Sequence, residues 1–149
     1  MAKNVRVNIR YRTEAERIRR ILPPPLKMDD SPEVIIDWLL NEPDDSRRNV
    51  FLPGPYYESG TFVSARFAGH SGMWEIGMPL NQDWGRHRGR ELQDLTKKDG
   101  AITVERDGDT VRASLTRRNR VLTRIETHVT DQAQHPRFWK VFNMSMLKW

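Results

Sequence analysis

Ala101-Ile102-Thr103-Val104-Glu105-Arg106-Asp107-Gly108-Asp109-Thr110-Val111-Arg112-Ala113-Ser114-Leu115 sets the fold class. Ile102 and Val104 alternate with Thr103 and Glu105, and Val111, Ala113 and Leu115 alternate with Arg112 and Ser114. Period two is the mark of half-buried strands, and an acidic-glycine stretch between two such runs predicts an antiparallel hairpin.

The same pattern repeats outward from this hairpin. Downstream, residues 121–129 read as a further strand. Upstream, residues 81–95 are polar with Asp83 early, and predict a short helix or turn. Before them, residues 61–68 and 73–78 form two strands around Gly69-His70-Ser71-Gly72. Residues 34–40 are an apolar run of strand length, followed by a polar loop over 41–49. At the start, Val5, Val7, Ile9 and Tyr11 alternate with Arg6, Asn8 and Arg10, another half-buried strand. Thr13-Glu14-Ala15-Glu16 predicts a capping box, with Thr13 as N-cap and Glu16 reaching back. Ile18, Ile21 and Leu22 give the helix that follows an apolar stripe, and Pro23-Pro24-Pro25 stops it. Many short strands with one or two short helices indicate a mainly β (α+β), antiparallel domain. The chain shows no repeat or linker, so residues 1–149 are expected to form one domain.

Composition narrows the function classes. The 149 residues suffice for one core, and 37% hydrophobic content with five tryptophans argues against disorder. No run approaches the ~20 apolar residues of a membrane helix. The N-terminus lacks a secretory apolar core, so a cytoplasmic location and no membrane partner are expected. There are no cysteines, which removes thiolate nucleophiles and thiolate metal sites. The histidines, His70, His87, His128 and His135, show no ligand spacing, so neither a metal nor another cofactor is expected. Lys and Arg number 25 against 20 Asp and Glu, but the basic residues are dispersed. Trp74, Trp84 and Trp139 could stack on bases. An aromatic in a strand pattern is more often core, however, and no nucleic-acid signature is present, so no nucleic-acid partner is expected.

Three separated blocks carry a family resemblance. Tyr11-Arg12-Thr13 leads through the short helix to Leu22-Pro23-Pro24-Pro25-Leu26. Gly54-Pro55-Tyr56-Tyr57-Glu58-Ser59-Gly60 leads into a strand. Gly89-Arg90-Glu91-Leu92 is followed by Lys97-Lys98, with a weaker echo over residues 142–148. In this order and spacing they resemble the acetoacetate decarboxylase-like family. The resemblance implies a curved antiparallel sheet forming a partial or closed β-barrel or cone around a reactive lysine. It also implies a small keto-acid substrate and a homo-oligomer. Family members usually continue beyond the point where this sequence stops, so the C-terminal part of the family fold is expected to be lacking.

By that resemblance Lys97 is the Schiff-base lysine. Lys98 matches the second lysine of the family pair and adds positive charge or structure. Glu58 matches the pocket glutamate that would move protons to the enamine or orient the imine. Asp37 corresponds to a second acidic pocket residue, and Arg6 stands near where an arginine would receive the substrate carboxylate. Without the resemblance, a Lys-Lys pair is ordinarily solvated, and Glu58 is ordinarily a surface acid or an arginine's partner.

The chemistry explains why such a site wants a lysine. A β-keto acid loses CO2 readily when a protonated imine accepts the electron pair, and only a neutral amine can form that imine. At an ordinary pKa of about 10.4, roughly 0.04% of a lysine is neutral at pH 7. Lowering that pKa by about 3–4 units costs about 4–5 kcal/mol of lost charge stabilisation. Burial and a neighbouring cation both act in that direction, and acetoacetate decarboxylase is itself the established example.

Three departures bear on function. Asn4 or Val5 occupies the region where the family's carboxylate-receiving arginine is expected, which leaves Arg6 to serve. Thr96 stands where the family usually has proline, and Asp99 follows the lysine pair where an apolar residue is usual. An aspartate beside Lys97 is expected to hold the amine charged. The sequence therefore supports a β-keto-acid decarboxylase, acetoacetate first. It also leaves open an aldolase-dehydratase acting on pyruvate-like acids with the same lysine, and a non-catalytic binding member of the fold.

Overall fold

The computed structural model describes residues 3–42, 54–128 and 141–142. Trp139, His135, Val129, most of the 41–49 loop and most of the 142–148 block lie outside them. The elements in order are β1 (Lys3–Arg12), α1 (Ala15–Arg19), β2 (Glu33–Glu42), β3 (Tyr56–Phe67) and β4 (His70–Leu80). After them come α2 (Asp83–Gln93), β5 (Lys97–Asp99), β6 (Ala101–Asp107), β7 (Thr110–Arg117), β8 (Arg120–His128) and β9 (Val141–Phe142). The larger sheet runs β1-β2-β3-β4-β5, with β9 also on β4, and the smaller runs β6-β7-β8. The mainly β reading therefore holds, as two sheets that form a partial barrel.

β2 is buried on both faces, which is why its run Val34-Ile35-Ile36 is apolar throughout. On one face Trp38, fully buried, meets Ile102, Ala113 and Leu115 of the hairpin sheet, joined by Val7 and Ile9 of β1. Val34 packs with Ile18, Leu26, Val63, Ala65 and Trp74. On the other face Ile35 joins Phe62, Met73 and Met78. That second face carries the candidate site.

Two local expectations are corrected. Thr13 is not the N-cap: the cap position is Glu14, without a side-chain cap, and the Thr13 N–H donates to Pro32 O at 3.0 Å. Glu16 pairs instead with Arg19 and Arg20 on the helix surface. The β3–β4 turn lies at Ala68 and Gly69, both at positive φ, so His70 already opens β4. Two left-handed residues in succession suit the twist of a tight hairpin, and Arg118-Asn119 makes the β7–β8 turn in the same way.

Candidate active site

Cross-strand register assembles the site. Arg6 lies opposite Leu39, Leu39 opposite Glu58, and Glu58 opposite Leu80. One pleat along, Asn8 lies opposite Asp37 and Asp37 opposite Gly60, while Met78 pairs with Lys97 on β5. Directly opposed residues share a face, so these two rows put Arg6, Asp37, Glu58, Met78 and Lys97 on one surface.

Lys97 is presented by a pinned segment. Asp94 ends α2 in the left-handed conformation, and Leu95 N–H donates to Gly89 O at 3.0 Å. Thr96 O accepts from Met78 N–H at 3.3 Å, which starts the parallel β4–β5 pairing. The lysine side chain is 7% exposed. Its Nζ pairs with Glu58 Oε2 and lies 2.7 Å from Met78 Sδ. Gly89 lets the stem pass under α2, because a Cβ there would lie 2.6 Å from Cγ and Cε of Lys97.

Above the pair opens a cleft of about 310 Å3, its mouth included, bounded by Tyr56, Leu80, Trp84, Arg88 and Gln93 as well as Glu58 and Lys97. Tyr56 and Trp84 meet edge to face, with ring centroids 5.5 Å apart. Burial, and then the Glu58 carboxylate, push the Tyr56 phenol above its ordinary pKa. Trp84 thus belongs to the cleft wall, whereas Trp74 is core. Val63, Ile102 and Val104, on the strands adjoining the two blocks, pack in other clusters and not beside this pair.

The remaining site residues of the sequence reading are placed as follows. Lys98 is exposed and points away from Lys97, as neighbours in a strand do. Asp37 is largely buried and takes one hydrogen bond from Arg6 Nε, shared between its two oxygens at 2.9 and 3.0 Å, and one from Nη2 at 2.6 Å. That bond holds the Arg6 guanidinium above its usual pKa. Asp99 is exposed and takes a 3.2 Å hydrogen bond from Arg117, which lowers its pKa. Its charge is answered there, so the expectation that Asp99 governs Lys97 is revised.

Sequence reasoning missed Glu75. Strict alternation along β4 would set Glu75 on the opposite face from Met78. A bulge intervenes: Thr61 pairs with Gly77 but Phe62 pairs with Glu75, leaving Ile76 as the extra residue. Ile76 is 45% exposed and Glu75 only 3%. The bulge turns Glu75 onto the site's face. Gly77, a glycine within a strand, was the available signal. Glu75 Oε1 accepts from Thr96 N–H at 2.8 Å and from Thr96 Oγ1 at 2.6 Å, while Oε2 has no partner among the described residues. Burial raises this carboxyl's pKa against the lowering effect of Thr96 and Lys97.

A buried amine thus lies ion-paired to a carboxylate beneath a cleft, on a partial β-barrel. The family model for acetoacetate decarboxylase matches residues 5–148, and the chain belongs to the acetoacetate decarboxylase family. It is 32% identical over 108 residues to acetoacetate decarboxylase of Clostridium botulinum, covering 72% of this chain and 42% of that protein. A solved structure of acetoacetate decarboxylase superposes with a TM-score of 0.72 at 25% identity, over 89% of this chain and 51% of the other. The enduracididine biosynthesis enzyme MppR, complexed with the condensation product of pyruvate and imidazole 4-carboxaldehyde, shares the fold. Its TM-score is 0.71 at 18% identity, over 91% of this chain and 58% of MppR. The chain thus spans about two fifths of the length of the curated relatives that it matches. Among the described residues no helix is long and apolar enough to cross a membrane, and no cluster of His, Asp and Glu has the geometry for a metal ion.

Proposed function

We propose that this chain carries the Schiff-base site of an enzyme acting on small keto acids, with decarboxylation of a β-keto acid of the acetoacetate type as its reaction. The observation that carries the reading is the Lys97–Glu58 pair, its amine buried and its carboxylate half-buried, under a cleft that opens to solvent. Lys97 as the neutral amine attacks the keto carbon, and loss of water gives a protonated imine. The bond to the carboxylate then breaks, its electrons pass into the imine to give an enamine, and CO2 leaves. Glu58, protonated by taking the ammonium proton that Lys97 gives up on becoming neutral, delivers that proton to the enamine carbon, and water hydrolyses the resulting imine to ketone and free amine. Arg6 and Asp37 complete the carboxylate-receiving end, with Asp37 holding the guanidinium in place. Lys98 adds positive charge from the outer face. No cofactor is required by this sequence of steps.

A second reading uses the same lysine for condensation and dehydration of pyruvate-like acids, and the shared fold of MppR with its bound condensation product favours it. The chain would work as a homo-oligomer in the cytoplasm. Val121 and Leu122 of β8, 51% and 57% exposed, offer apolar surface for self-association.

The test is incubation with acetoacetate or pyruvate followed by borohydride and mass spectrometry. A stable adduct on Lys97, absent in Lys97→Arg, supports the reading, because guanidinium offers no nucleophilic amine. Equal labelling of surface lysines would replace it with a binding role. CO2 release distinguishes decarboxylation from carbon–carbon condensation.

A further inference from the structure

We infer that Glu75 is a positioning residue for Lys97: through Thr96 it holds the start of the strand that presents the amine, and it adds a second carboxylate to the field in which that amine ionises. This rests on the reading of Lys97 as the reactive amine.

Glu75 is 3% exposed, and its Oε1 takes both donors of Thr96, the backbone N–H and the hydroxyl. Thr96 is the residue directly before Lys97, and its own carbonyl is tied to Met78 N–H. Every polar backbone contact at that point therefore fixes the direction in which Lys97 leaves the sheet. A proline at position 96 would have neither an N–H nor a hydroxyl to satisfy. Threonine brings both into a half-buried place, where the buried Glu75 carboxylate accepts them. The β4 bulge supplies it by turning Glu75 inward. The threonine and the buried glutamate act as one device.

The same placement has an electrostatic result. Lys97 meets Glu58 and Tyr56 from β3, Glu75 from β4 and Arg88 from α2, with Arg6 and Asp37 further along the same face. An ionised Glu75 favours the charged amine, and a protonated Glu75 releases it toward the nucleophilic form. Oε2, unpartnered among the described residues, is the free oxygen on which a proton can reside.

The experiment is trace acetylation of the intact chain with acetic anhydride between about pH 6 and pH 10. Lys97 labelling is read against Lys98 by peptide mass spectrometry. It needs no keto acid. With Glu75→Gln, which keeps the acceptor oxygen and removes the charge, Lys97 should label at least about threefold faster near pH 9. Glu75→Leu strands both Thr96 donors and should abolish the difference between Lys97 and Lys98. Adding Thr96→Pro to Glu75→Leu removes both donors and should restore a distinct Lys97 profile. Superimposable profiles for wild type and Glu75→Gln overturn the electrostatic role, and failure of the double variant to restore selectivity overturns the anchor. Should Glu75→Gln not fold, the double variant against wild type decides both. A Glu75-dependent profile with no keto-acid adduct would leave this inference standing and remove the proposed reaction. An adduct on Lys97 with a Glu75-independent profile would do the reverse.

Discussion

Gly89 and the stem of Lys97 are in such close apposition that a single added methyl group on the helix would stand 2.6 Å from two carbons of the lysine. Gly89→Ala should therefore displace the amine while improving the helix, since alanine exceeds glycine in helix propensity by about 1 kcal/mol. The expected outcome is at least about a tenfold loss of borohydride-trapped adduct with the thermal midpoint retained. An adduct yield equal to wild type would show that the stem has another route.

Glu58→Gln removes the counter-charge and the proton donor together. The amine should then ionise less readily, and imine formation near neutral pH should persist or quicken. Turnover should fall by about 10²–10⁴, the usual contribution of a general acid–base group. Single-turnover trapping measured alongside CO2 release separates the two effects.

Glu75 gives stability a pH dependence of defined sign. Its carboxyl titrates above the ordinary 4.5 because it is buried. The folded state thus holds the proton to higher pH than the unfolded chain does. The contribution is complete below pH 4.5 and is lost as pH rises through the folded value. Thermal midpoints of Glu75→Gln should gain on wild type over that rise and run parallel to it in acid.

Asp99 behaves in the opposite sense. Its hydrogen bond from Arg117 depresses its pKa below 3.8, so its contribution is present above that value and fades in acid. The group is exposed and the effect small. Asp99→Asn should leave Lys97 trapping within about twofold of wild type. A large increase would mean that Asp99 reaches the amine after all.

The pairing of Asp37 with Arg6 joins β1 to β2 within the site. Asp37→Asn should cost about 1–2 kcal/mol in urea unfolding, the value of a charge-assisted bond discounted because Arg6 is 41% exposed. The Michaelis constant for a keto acid should change with it if the guanidinium receives the substrate carboxylate.

Much of this molecule was legible in period-two alternation. The hairpin at 101–115, a strand over residues 34–40 and a short helix or turn within 81–95 were expected from local pattern and turn chemistry, and β6–β7, β2 and α2 stand there. The candidate pair was legible only through the order of the Glu58 and Lys97 blocks, because residues 39 positions apart are brought together by register alone. Glu75 was illegible because one bulged residue, Ile76, reverses the face of everything before it. Thr13 misled because its sequence context fits a cap while its N–H is claimed by Pro32 in another segment.

The parallel β4–β5 contact is only three residue pairs long, and α2, which covers Lys97, leaves Leu92 69% exposed. Such a flap holds few of the buried apolar contacts that give a segment the protection of the whole fold. Amide hydrogens of α2 and β5 should accordingly exchange by a local opening, well before those of β2 and β3. In that opened state the amine meets bulk water and becomes available to acylating reagents or modifying enzymes while the sheets stay intact. Chemical wear on the reactive group would thus be set by the breathing of one short helix and not by global unfolding.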